Sequence, residues 1–221
     1  MGKVRVWDLP TRLFHWLLVG LVVALVVSGQ IGGAAMDWHM RFGYAVLSLL
    51  LFRLIWGLVG GHWSRFASFV SAPRTIVDYV RTGGTPLQSV GHNPLGSLSV
   101  LALLGLLLLQ AGSGLFSDDE IATAGPLTHL ASGAWVSMAT FYHTKIGKVL
   151  LIVLVQLHIA AILYYRLRKG ENLVKPMIDG DKDLEFVAPV SADDVRARLL
   201  ALAIWGVCAA VVAAVVLGLG K

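Results

Sequence analysis

Four of the seven histidines in this 221-residue chain stand where an imidazole is costly to place. His15 and His158 lie inside long apolar runs, and His39 and His143 lie at the edges of two others. Imidazole is the commonest metal-ligating side chain. An ionisable group at membrane depth is expensive unless something satisfies it, so its presence points to function.

The spacing gives these residues an order. His143 and His158 are 15 residues apart, which on one helix is about 22 Å of rise and about 60° of rotation. One helix then presents two histidines on nearly the same face, one toward each membrane surface. In a first helix running outward His15 sits near the start, and in a returning second helix His39 does. Depth pairs His15 with His158 on the cytoplasmic side and His39 with His143 on the periplasmic side. Two histidine pairs on facing helices suit two bis-histidine haems. A structural zinc site asks for four ligands together, usually including cysteine. Each pair supplies two, and the one cysteine, Cys208, sits inside an apolar run. No C-x-x-C-H motif occurs, so the haems would be b-type, held without thioether bonds. Any single histidine could instead hydrogen-bond a neighbouring helix, but four at matched depths favour ligation.

The elements that must position these histidines are membrane helices. The chain is 57% hydrophobic and 14% charged, with a mean hydropathy of +0.75, whereas soluble domains carry roughly 25% charged residues. This excludes a soluble enzyme, and one cysteine excludes a disulfide scaffold. The apolar residues fall in blocks of about 20, the length that crosses a bilayer as a helix. Five spans are expected, at about Leu13–Ile31, Phe42–Val59, Leu95–Phe116, Ile146–Leu167 and Leu199–Leu219. The first resembles a signal peptide in having Lys3 and Arg5 before it, yet its core is too long, so it is read as a retained helix. The fold class is therefore an all-α integral membrane protein. Ser71-Ala72-Pro73 and the residues from Arg74 to Arg81 read as a short helix on the cytoplasmic surface. The polar stretch from Gly170 to Asp194 reads as a flexible segment too short to be a domain.

Charge sets the orientation. Thirteen lysines and arginines lie before span one, between spans two and three, and between spans four and five. Only Arg41, Lys145, Lys148 and Lys221 lie on the other side, with Arg53 set aside as intramembrane. The positive-inside rule then puts the N-terminus in the cytoplasm of a multi-pass inner-membrane protein. The net charge of +5 marks topology, not a nucleic-acid surface, because the basic residues gather at span ends.

The remaining candidates each carry two readings. Arg53, about 9 Å inside the second span, is a bidentate partner for a haem propionate or a side chain snorkelling to the headgroups. Lys145 and Lys148 flank His143 and would pair with propionates or sit as ordinary interfacial lysines. His92 opens the third span and would meet a propionate or a quinone, or serve only as a helix-start residue. His62 reads as interfacial and His129 as a loop residue. Trp7, Trp16, Trp38, Trp56, Trp63 and Trp135 read as an interfacial belt. Gly20, Gly43, Gly105 and Gly147 would let a macrocycle approach a helix or let helices pack closely.

Several stretches resemble the bacterial di-haem b-type cytochromes, the family of cytochrome b561 and of the cytochrome b subunit of nickel–iron hydrogenases. They are Val6-Trp7-Asp8-Leu9-Pro10-Thr11-Arg12-Leu13-Phe14-His15-Trp16, Arg41-Phe42-Gly43-Tyr44, Gly91-His92-Asn93-Pro94-Leu95-Gly96, and the run from His143 to Ile159-Ala160-Ala161. The resemblance implies a four-helix transmembrane bundle holding two haems b, with axial ligands at His15, His39, His143 and His158. It divides the chain into a cytochrome domain over residues 1–180 and a remainder, 181–221, carrying a fifth transmembrane helix. Cytochromes of this group that end after four helices lack that span, whose role would be packing or a homodimer contact.

The function expected is electron transfer between the membrane quinone pool and a periplasmic redox protein, a c-type cytochrome or a hydrogenase. In that role the histidines act as axial ligands, and no residue is assigned as a catalyst. The competing readings are a stand-alone superoxide:quinone oxidoreductase, a haem transporter and a non-redox membrane subunit. A transporter should show inverted repeats or broken helices at mid-membrane, and none is legible. The acidic run Asp118-Asp119-Glu120, in a loop free of lysine and arginine, would suit a basic partner.

Overall fold

A computed structural model describes residues 2–220 of the chain. Lys221, one of the four charges assigned to the outer side, lies outside the described residues. Among the described residues five helices are long and apolar enough to cross a membrane.

Helix α1 (Leu9–Ile31) follows a short strand, β1 (Gly2–Arg5). Asp8 caps it, accepting from the Thr11 amide at 2.8 Å, which satisfies one of the free amides of a first turn. Gly32 and Gly33 end it with φ of 67° and 52°, a left-handed turn that a side chain would resist. Helix α2 (Met36–Val59) follows at once, so it begins earlier than hydropathy alone indicates, and His39 lies within its first turns. Two short helices, α3 (Phe66–Phe69) and α4 (Pro73–Thr82), come next. α4 matches the expected surface helix, with a proline in its first turn, a left-handed Gly83 at its end and no buried residue. Helix α5 (Pro94–Gly114) is capped by Asn93, which accepts from the Gly96 amide at 2.7 Å.

The fourth apolar segment departs most from the expectation. It begins at α6 (Gly133–Phe141), continues through one wide turn over Tyr142–Gly147, and runs on as α7 (Lys148–Arg168). Helix α8 (Val174–Asp179) and strand β2 (Asp181–Leu184) lead to α9 (Val195–Leu219).

The chain packs as two units. The first holds the residues up to Phe14, Arg53–Ala102 and Val155–Ala203. Here β1 and β2 pair antiparallel, Gly2 opposite Leu184 and Arg5 opposite Asp181. Val4, Val6, Trp7, Trp63, Val90 and Ala188 form a small core, with Met177 and Leu184 packed on it. The stretch from Gly170 to Asp194, expected to be flexible, is thus folded: it supplies a helix, a strand and part of this core. Trp7, Trp56 and Trp63 are buried here, so they are not belt residues, whereas Trp16, Trp38 and Trp135 are exposed as a belt requires.

Two carboxylates organise the polar side of this unit. The fully buried Asp8 accepts from Ser64 Oγ at 2.6 Å and from Trp56 Nε1 at 3.2 Å. Asp193 receives Arg5 Nη1 at 3.0 Å, Arg198 Nε at 3.1 Å and the Leu9 amide at 3.0 Å. Its burial alone would raise the pKa, but the Arg198 hydrogen bond, the Leu9 amide and the charges of Arg198 and Arg5 outweigh that and lower it.

The second unit comprises His15–Phe52, Leu103–Leu154 and the described residues from Ile204 onward. Within its apolar helices, polar side chains gather around two histidines. α9 enters both units and buries only a narrow stripe, Ala201, Cys208 and Val212.

A lowered native pKa at Asp193 makes the protonated form the less compatible one with the fold. Its contribution is present above the unfolded value of about 3.9 and is lost as pH falls through the lower native value. Amide-exchange protection of β1 and β2 should therefore fall on acidification below about pH 4. Asp193→Asn should show that reduced protection already at neutral pH.

Candidate functional site

The second unit brings His39 and His143 together. Their ring centroids are 6.1 Å apart and their planes stand 86° to one another. His39 comes from the start of α2 and His143 from the wide turn between α6 and α7. Metal–imidazole bonds of about 2.0–2.1 Å, with roughly 1 Å from each nitrogen to its ring centre, put two rings on opposite sides of one metal about 6 Å apart. The observed separation fits one iron between the two rings.

Each ring is tied down through Nδ1. The His39 Nδ1–H donates to the Leu25 carbonyl oxygen at 3.0 Å, with Ser28 Oγ at 3.4 Å. The His143 Nδ1–H donates to the Gln110 carbonyl oxygen at 2.9 Å, with Ser113 Oγ at 3.4 Å. A proton on Nδ1 leaves Nε2 with its lone pair, the form of imidazole that ligates a metal. Both rings line a cavity of about 270 Å³ whose walls are chiefly aliphatic, among them Val22, Leu25, Val26, Leu107 and Leu151. Gly43 is on that wall, and a β-carbon there would meet nothing within 4 Å. Apolar walls, an open glycine face and two nitrogen donors at iron-spanning distance together fit a haem. Among the described residues no group of three or more histidine, cysteine or carboxylate side chains could hold a bare metal ion.

The wide turn explains how His143 reaches this place. A turn with one extra residue frees carbonyls from the regular helix ladder, and such turns recur at functional sites. The His143 carbonyl accepts from Gln110 Nε2 at 2.9 Å. Gln110 thus holds His143 twice, by its own carbonyl and by its side chain. Gly147 makes room for this: a β-carbon there would collide with Gln110 Oε1 and lie 2.8 Å from the Tyr142 ring. Of the glycines singled out in the sequence, Gly147 is a close-packing point, while Gly20, Gly43 and Gly105 have open space at the β-carbon position.

At one end the cavity is bounded by Ser117, Asp118, Asp119, Thr123 and Gly125. Asp119 folds this loop on itself, its Oδ1 accepting the amides of Ile121, Ala122 and Thr123 at 3.0, 2.9 and 2.8 Å. The Thr123, Ala122 and Ile121 amides lower the Asp119 pKa to about 2, so the carboxylate stays charged across the physiological range. Lys148 also lines the cavity, and Lys145 is exposed and outside its lining.

The other candidates are placed as follows. His15 belongs to the second unit, half-buried beside Trp16 with ring centroids 4.9 Å apart. His158 belongs to the first unit and is half-buried on α7. Arg53 is only 2% exposed, its guanidinium lies 5.0 Å over the Phe66 ring, and its Nη1 has no hydrogen bond. His92 stands between Trp7 and Phe69, each with ring centroids at 4.6 Å. His62 keeps its imidazole beside Arg65, and burial together with that positive charge lowers its pKa. His129 is exposed.

Gln110, Ser28 and Ser113 are the site residues that the sequence reading left out. Their signal was present as polar residues inside apolar runs. It went unread because serine and glutamine in a membrane helix usually bond to their own backbone or to a neighbouring helix.

The family model described as prokaryotic cytochrome b561 matches residues 6–180. A protein named "Probable Ni/Fe-hydrogenase B-type cytochrome subunit" from Azotobacter vinelandii is 26% identical, over 80% of this chain and 87% of its own length. A protein of the same name from Bradyrhizobium diazoefficiens is 24% identical, over 81% and 85%. A "Probable Ni/Fe-hydrogenase 1 B-type cytochrome subunit" from Escherichia coli K12 is 22% identical, over 82% and 91%. No solved structure matches the chain significantly.

Packing at the wide turn yields a test. Gly147→Ala should lower stability by about 1–3 kcal/mol, the usual cost of overpacking. Gly206→Ala, in open space on α9, should be neutral or gain up to about 1 kcal/mol. Thermal unfolding in detergent compares the two.

Proposed function

Because the chain belongs to the prokaryotic cytochrome b561 family, we propose that it carries single electrons across the bacterial inner membrane between the quinone pool and a periplasmic redox partner. The observation that carries this reading is the His39–His143 pair, two tied imidazoles at iron-spanning distance on an apolar cavity. When bound there, haem b supplies a one-electron couple. His39 and His143 would hold it through their Nε2 atoms, and the aliphatic wall would keep water away from it.

His15 and His158 form the second axial pair in this reading, on the strength of their depth and of their positions in the family's motifs. Two haems at two depths give the electron a relay across the hydrocarbon layer. The buried Arg53, whose Nη1 has no hydrogen bond and whose charge faces Asp8 without a close ion pair among the described residues, is assigned to a propionate of the inner haem. Lys148, on the cavity wall, is assigned to a propionate of the outer one, and Lys145 is left as an interfacial lysine. The aromatic packing around His92 supports a structural role at the start of α5 over contact with a propionate or quinone. The N-terminus and the cap built on β1 and β2 lie in the cytoplasm, following the thirteen positive charges on that side. A Ni/Fe-hydrogenase is the partner favoured by the relatives' names, and a c-type cytochrome is the alternative electron carrier.

Reduced-minus-oxidised spectra of the purified protein test the reading. Two low-spin b haems per chain should appear, and quinol or the partner should change their redox state. His39→Ala should leave one haem, and His143→Ala together with His158→Ala should leave none. Absence of haem absorption, or full haem retention in the double variant, overturns the proposal.

A further inference from the structure

His39 and His143 are held by two copies of one local device. On α1 the residues are Leu25-Val26-Val27-Ser28-Gly29, and on α5 they are Gln110-Ala111-Gly112-Ser113-Gly114. In each, the carbonyl of the first residue accepts the histidine Nδ1–H, at 3.0 Å and 2.9 Å. In each, the serine three residues on puts its Oγ 3.4 Å from the same Nδ1. In each, the glycine after the serine lets the ring lie against the helix. A β-carbon at Gly29 would fall 3.1 Å from the His39 ring, and one at Gly114 would fall 2.9 Å from the His143 ring.

The serines do not spend their own protons on the histidines. Ser28 Oγ donates to the Ala24 carbonyl at 2.7 Å, and Ser113 Oγ donates to the Gln110 carbonyl at 3.0 Å. Their lone pairs remain to share the Nδ1–H with the carbonyl. A hydrogen bond from Nδ1 makes the other ring nitrogen a stronger donor and fixes the ring's rotation. The seats lie on different helices from the histidines they hold, so together they determine the angle between the two ring planes, 86°.

We propose that Ser28-Gly29 and Ser113-Gly114 are paired positioning seats that hold the axial imidazoles of the outer haem perpendicular and set its ligand field. This rests on the reading that His39 and His143 are the ligands. The glycines set the rotation by admitting the rings, and the serines tune donor strength. Perpendicular imidazole planes leave the iron d orbitals nearly degenerate and give a low-spin ferric EPR signal with one large g value. Turning the planes toward each other lowers that value.

The experiment compares variants of the purified holoprotein by EPR, redox titration and haem content. Gly114→Ala and Gly29→Ala should move the outer haem's large g value downward, or release that haem alone, with affinity reduced roughly 10–100-fold as for other lost outer supports. Ser113→Ala should keep both haems and raise the outer midpoint potential, because a less electron-rich imidazole stabilises ferric iron less. Ser113→Thr, which keeps the hydroxyl, should restore the potential. Gly206→Ala serves as the open-space control and should move nothing. Unchanged g value and potential in Gly114→Ala and Ser113→Ala, with haem retained, overturn the seats. Should Gly114→Ala fail to fold, Ser113→Ala and its threonine rescue decide. His143→Ala separates the two levels: if it too leaves both haems in place, the ligand assignment has failed; if it removes one, only the seats have.

Discussion

Inside a hydrocarbon layer no water is at hand to satisfy a polar group, so every imidazole placed there must be given a partner by protein. In the second unit that partner is a main-chain carbonyl already built into a helix, Leu25 for His39 and Gln110 for His143. A carbonyl oxygen has two lone pairs and can serve the helix and the histidine together. The requirement to satisfy Nδ1 therefore also leaves Nε2 as the nitrogen with a free lone pair. Other local features answer to the same need: the wide turn that delivers His143, the glycines that let the rings approach, and Gly147, which gives Gln110 space.

The first unit meets its polar groups by different means. Asp8 and Asp193 are each surrounded by several donors, among them Ser64, Trp56 and Arg5 from distant parts of the sequence and the nearby Arg198. Burying a carboxylate is tolerable only when its oxygens are fully engaged, and Gly61 shows how closely Asp8 is enclosed, since a β-carbon there would lie 2.5 Å from Oδ2. One unit is thus organised around carboxylates and the other around imidazoles held by backbone. The same chain passes through both, and the tight motif from Trp7 to His15 carries the Asp8 cap into the helix that bears a histidine.

Helix number, the apolar class of the fold and the pairing of His39 with His143 were legible in sequence because hydropathy and 1.5 Å rise translate directly into depth. The helix starts were not. Hydropathy registers the apolar centre of a span, whereas α2 and α6 begin in mixed sequence set by Gly32-Gly33 and by Ser132. The fold of residues 170–194 was hidden for another reason: β2 is Asp-Lys-Asp-Leu, which has no strand pattern of its own. It becomes a strand because Arg5 meets Asp181 and Val4 needs cover. Ser28-Gly29 and Ser113-Gly114 were invisible as a pair because each is ordinary alone, and only the histidine each supports makes them alike.

The pairing of β1 with β2 also sets a clock on biosynthesis. Residues 2–5 leave the ribosome well before their strand partner at 181–184. At about 5–20 residues per second, translation supplies that partner roughly 10–35 s later. During that interval the first four apolar segments are made with the N-terminal strand unzipped and Asp193 still unmade. The ion pairs of Asp193 with Arg5 and Arg198 close only once residues 193–198 have been made, so the cap is a late latch, set after the four preceding apolar segments.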